Sequence, residues 1–89
     1  MINIKRSKFT EFCGWYGMIV LILSYFLVSF GVIAADGVVF QLMNVTGAVG
    51  IMILAISKNV AQSVWLNLFW AMIGVIALIN IFLRSIGVI

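Results

Sequence analysis

The sequence predicts an all-α fold, a transmembrane bundle of three helices over residues 12–33, 38–57 and 64–83. Three observations carry the prediction. Hydrophobic residues make up 66% of the 89-residue chain and charged ones only 8%, where a soluble domain carries about 25% charged residues. A chain this short has too little interior to hide that much apolar surface from water. The apolar residues also fall into three uncharged runs of 22, 20 and 20 residues. At about 1.5 Å per residue, helices of those lengths reach roughly 30–33 Å, the thickness of a bilayer's hydrocarbon core.

The first eleven residues read as a basic flank, with Lys5, Arg6 and Lys8 ahead of the first run. That run, "FCGWYGMIVLILSYFLVSFGVI", follows from Phe12 to Ile33. Backbone groups in lipid must bond within their own segment, which makes each run a helix. The chain has no proline, so the main cause of sharp kinks is missing. "AADG" (Ala34–Gly37) turns the chain into the second run, Val38–Ser57, with Asp36 as the expected N-cap and Gly37 easing the turn. "KNVAQS" (Lys58–Ser63) leads to the third run, Val64–Leu83, so that residues 12–84 form the transmembrane domain and 85–89 a short tail. Such short links make successive helices antiparallel neighbours. The basic flank with its 22-residue apolar run exceeds the 7–15 residues of a signal-peptide core and reads as a retained span.

Charge and residue types bound the function. Four basic residues (Lys5, Arg6, Lys8, Lys58) fall on one side of the predicted bundle and one (Arg84) on the other. This predicts a cytoplasmic N-terminus and an external C-terminus. Trp15, Tyr16 and Trp65 stand near the same boundary as interfacial anchors. Scattered basic residues give no nucleic-acid stripe. There is no histidine and a single cysteine, Cys13, so metal-ligand clusters and an intrachain disulfide are not expected. Glu11 and Asp36, the only carboxylates, sit at the ends of apolar runs. No acid–base pair is in view, no cofactor is implied, and a non-enzymatic protein is expected.

Polar and small residues inside the spans are where helix association is encoded. Helices in lipid associate through close packing at small residues and through side-chain hydrogen bonds. Gly14 and Gly17 (with Gly31) offer small positions on the first span, Gly47 and Gly50 on the second, and Ala71, Gly74 and Ala77 on the third. Counted from the cytoplasmic edge, Ser24, Tyr25 and Asn44 lie at about 19–20 Å, with Thr46 one step deeper into the membrane. Ser29, Gln41 and Asn80 fall near 25 Å, so Gln41 and Asn80 can face each other, while Asn67 lies alone near 5 Å. Tyr25, Asn44, Thr46, Asn67 and Trp70 are therefore the candidates either for a small polar cavity or for hydrogen bonds that tie helices together. The expected partners are the lipid bilayer and either a second copy, which could satisfy Asn67, or a larger membrane protein. A solute is not identified.

The stretches "GWYGMIVLILSYFLVSFG", "FQLMNVTGAVGI" and "WLNLFWAMIGVIALI" together resemble a family of small, uncharacterised bacterial three-span membrane proteins. The resemblance covers about Gly14 to Leu83 and implies the same three-span fold without an assigned activity. More distantly, the chain is similar to bacterial half-SWEET sugar transporters of the PQ-loop class. That resemblance implies a homodimer around a solute site, with Asn67 of "WLNLFW" matching a site-lining asparagine of the third span. The proline–glutamine hinge of that class is absent here, where the first span reads "SYFLVSF".

Overall fold

The computed structural model describes residues 4–88. Three helices account for most of them: α1 (Lys8–Ser29), α2 (Val38–Ser57) and α3 (Ala61–Ser85). All three are long and apolar enough to cross a membrane. The middle helix matches its expected bounds, whereas α1 starts and ends four residues earlier than residues 12–33 and α3 runs beyond 64–83 at both ends.

Capping explains these shifts. Ser7 opens α1 with a capping box: the Thr10 N–H donates to Ser7 Oγ (3.3 Å) and the Ser7 N–H donates to Thr10 Oγ1 (2.9 Å). Helix formation therefore begins at Lys8, inside the charged flank. At the other end Gly31 takes φ +74°. The Val32 N–H then donates to the Leu27 carbonyl (2.9 Å) and the Gly31 N–H to that of Val28 (3.1 Å). This is a Schellman stop, and it cuts the helix short although the apolar run continues to Ile33.

The same device closes the other two helices. Asn59 (φ +56°) follows α2 and Gly87 (φ +80°) follows α3. Val60 N–H donates to Ala55 O, and Val88 N–H donates to Leu83 O, both at 3.0 Å. Each stop thus reads glycine or asparagine followed by valine. At the start of α2, Gly37 rather than Asp36 is the N-cap, with no side-chain cap bond and an ordinary φ of −91°. Gly31, expected at a helix contact, sits instead in this turn with nothing close to its would-be Cβ.

The helices pack with α2 in the middle, between α1 and α3. Among the described residues, no Cα of α1 comes within 8 Å of one in α3. On one side α2 meets α1 through glycines. The α1 positions Thr10, Gly14, Gly17 and Ser24 are buried, with Leu21 completing a four-and-three spacing that keeps one stripe on the partner helix. A Cβ added at Gly50 would lie 2.5 Å from the Cys13 carbonyl oxygen, and one at Gly17 would strike the Gly47 carbonyl and lie 2.9 Å from the Ile51 nitrogen. The backbones here are nearly in contact, the close approach that small residues permit in lipid.

On its other side α2 meets α3 along Val64, Asn67, Ala71 and Gly74, again four and three apart and all buried. Gly74 receives the Val45 side chain, and Ala55, Ile56 and Val64 cluster at the far end of this seam with Ile4 and Met52 packed against them. Ala77 is only half-buried and belongs to a shallow lipid-facing hollow with Ile76 and Asn80.

Candidate functional site

Because α1 and α3 stand apart, a crevice opens over one face of α2. Its volume is about 240 Å³, and it is lined by Leu21, Ser24 and Tyr25 of α1, Phe40 and Asn44 of α2, and Trp70 of α3. Three of the five candidate cavity residues, Tyr25, Asn44 and Trp70, are therefore brought together. Ser24, expected at the same depth, joins them, buried and donating to the Leu21 carbonyl (2.8 Å). Phe40 and Leu21 are additions. Each precedes a polar lining residue by one helical turn, so the sequence signal was their spacing from Asn44 and Tyr25.

Asn44 is the chemically distinctive member. It lies six residues into α2, about 9 Å along the helix from its start, and is half-buried. Among the described residues its amide makes no side-chain hydrogen bond, although it carries two donors and an acceptor with two lone pairs. Water is not available in hydrocarbon to satisfy such a group, and an unpaired amide there is costly. Tyr25 and Trp70, both with exposed side chains, line the crevice with it.

The other two candidates lie elsewhere. Thr46 is two residues from Asn44, a turn of about 200° around the helix, which puts it on the opposite face of α2. There its hydroxyl donates to the Leu42 carbonyl (2.8 Å) and accepts from the Tyr16 hydroxyl (3.1 Å). Asn67 is 3% exposed and lies in the α2–α3 seam. It is seven residues before Gly74, so the register places it level with Ala48 and Met52. Its Nδ2 donates to the Ser63 carbonyl (2.8 Å) and to Ser63 Oγ (3.3 Å), while Oδ1 is buried without a partner. Reversing the amide would set oxygen against the Ser63 carbonyl, so the geometry fixes its orientation.

Gln41 also departs from expectation. It donates to the Ala35 carbonyl of the α1–α2 loop (3.1 Å) and does not pair with Asn80.

A second cleft of about 350 Å³ lies between α1 and α2 at the end that holds the basic flank, lined by Glu11, Gly14, Trp15, Met18, Ile51, Leu54 and Lys58. The Glu11 carboxylate is shared there by Arg6 (3.7 Å) and Lys58 (3.5 Å). Among the described residues no three of His, Cys, Asp or Glu gather as a metal site.

A family model matches residues 10–85. The chain belongs to this uncharacterised bacterial-type family. The match spans all three helices, so the family's shared unit is the whole bundle. Neither the curated proteins nor the solved structures contain a significant match to the chain. The comparisons thus give no support to the half-SWEET likeness. Asn67, the residue that likeness carried over, is buried in the α2–α3 seam and does not line the crevice.

Proposed function

We propose that this small multi-pass membrane protein is non-enzymatic and acts by assembly, the three-helix crevice receiving a helix from a second copy or a larger membrane protein. The observation that carries the reading is Asn44, an amide at membrane depth with no hydrogen-bond partner in a crevice open to the side. A second copy is the simplest occupant, because an amide both donates and accepts, so two Asn44 side chains can satisfy each other across a twofold axis. Small residues line both sides of the α1–α2 seam and the α3 side of the α2–α3 seam, and the surfaces outside the seams are left to lipid or to further helices.

Catalysis is disfavoured by the placement of the carboxylates: Glu11 is held by Arg6 and Lys58, and Asp36 lies at the opposite end of the bundle. Crosslinking in native membranes tests the assembly reading. A dimer or a defined hetero-adduct is expected, and a strictly single chain would refute it.

A second reading, a half-SWEET-like carrier of a small solute working as a homodimer, is favoured by the crevice's volume of about 240 Å³ and its Tyr25 and Trp70 walls. Saturable uptake by the purified protein in proteoliposomes would select it.

The proposed location is the bacterial inner membrane with the N-terminus in the cytoplasm, supported by the basic residues gathered at one end. Reporter fusions are expected to give cytoplasmic signal at the N-terminus and at Asn59, and external signal at Asp36 and the C-terminus. A cytoplasmic C-terminus would overturn the three-span orientation.

A further inference from the structure

The geometry points to an anionic phospholipid site in the cleft between α1 and α2 at the basic end of the bundle. In sequence the flank offers three basic residues, fewer than the four or more typical of lipid-recognition clusters. The fold supplies the fourth. Lys58, which follows α2, reaches Glu11 of α1 at 3.5 Å, and Glu11 also holds Arg6 of the flank at 3.7 Å. Ile4 packs against the Ala55, Ile56 and Val64 cluster. Lys5 and Arg6, between Ile4 and the Ser7 cap, are thereby pinned to this end of the bundle. Lys5, Arg6, Lys8 and Lys58 against Glu11 leave a net charge of +3 here, whereas Asp36 and Arg84 cancel at the other end.

Below the charges the cleft becomes apolar. Gly14 contributes no side chain, so Leu54 packs over its Cα, and Met18 and Ile51 continue the floor toward the membrane interior. Trp15, 59% exposed, stands at the rim, where an indole prefers the headgroup level. A cationic mouth above an apolar groove between two spans matches one ligand chemistry, a phosphate ester carrying acyl chains. The phosphate would lie at Lys58 and Arg6, competing with Glu11 for them, and a chain would lie along Met18 and Ile51. A free phosphate lacks the part that fills the groove, and a neutral phosphatidylcholine lacks the net charge that the mouth requires.

The test uses the full-length protein, delipidated in mild detergent and then supplied with phosphatidylglycerol, phosphatidylcholine or inorganic phosphate. Bound lipid is read by native mass spectrometry and thermal stability by a melting scan. Wild type is expected to retain phosphatidylglycerol preferentially and to melt higher with it. Lys58→Gln is expected to lower that retention about fivefold, the worth of one basic residue near a membrane surface. Glu11→Gln is expected to raise it, because it frees Lys58 and Arg6 for the headgroup. If the Glu11–Lys58 pair were only a structural tie, both variants would lower stability and neither would change the lipid preference. Equal retention of the two lipids, an inorganic phosphate shift as large as that of phosphatidylglycerol, or a fall in retention with Glu11→Gln would each overturn the assignment.

Discussion

Gly50→Leu is expected to separate α1 from α2 and to be among the most destabilising single substitutions in the spans. Even alanine places a Cβ 2.5 Å from the Cys13 carbonyl oxygen. That is backbone, which cannot rotate away, so one helix must retreat and the contacts along the seam are lost with it. Overpacking of this kind costs about 1–3 kcal/mol, and leucine extends the collision. Gly17, whose Cβ would meet the Gly47 carbonyl and the Ile51 nitrogen, is expected to behave alike. Gly47→Ala should be milder, since its nearest neighbour is the Leu21 side chain at 2.8 Å, which can change rotamer. Melting temperatures in one detergent check the order, with Gly50 and Gly17 variants below Gly47→Ala. The reverse order would mean that the two helices do not cross so closely.

Asn44→Leu is expected to separate assembly from folding. The chain itself gives Asn44 no hydrogen bond to lose, and leucine replaces an amide that lipid does not solvate, so melting of the single chain should hold or rise. Assembly should weaken by about three- to twentyfold, the equivalent of one interhelical side-chain bond of about 0.6–1.7 kcal/mol. Sedimentation or in-membrane crosslinking across a dilution series measures this. An Asn44→Leu protein that associates like wild type, or one that unfolds, would remove Asn44 from the proposed role.

The spans were legible in the sequence because lipid imposes a length and excludes charge, and α2 therefore falls on the expected residues. Helix ends were less so. Counting apolar residues cannot separate a helix from a Schellman turn built of the same residues, and it carried α1 through Gly31 to Ile33. The glycine at C′ followed by Val32 was the readable signal, repeated at Asn59–Val60 and Gly87–Val88. At the crevice, depth was readable and direction around the helix was not. Ser24, Tyr25 and Asn44 do share a level, but Thr46 turns to the far face and Asn67 into the α3 seam. Gln41 had the right depth to meet Asn80, yet a loop carbonyl at Ala35 lay closer. That α1 and α3 stand apart is a property of how two seams are arranged around α2, which no single run of residues records.

Site-directed disulfide trapping in native membranes tests the assembly claim most directly. Cys13 is the only cysteine, so Cys13→Ser provides a cysteine-free background for single replacements. Tyr25→Cys, at the mouth of the Asn44 crevice, is expected to yield a disulfide-linked dimer on mild oxidation. Leu42→Cys, two residues from Asn44 and turned to the opposite face, is expected to remain a single chain. Trapping at Leu42 with none at Tyr25, or at neither position, would contradict self-assembly through the crevice.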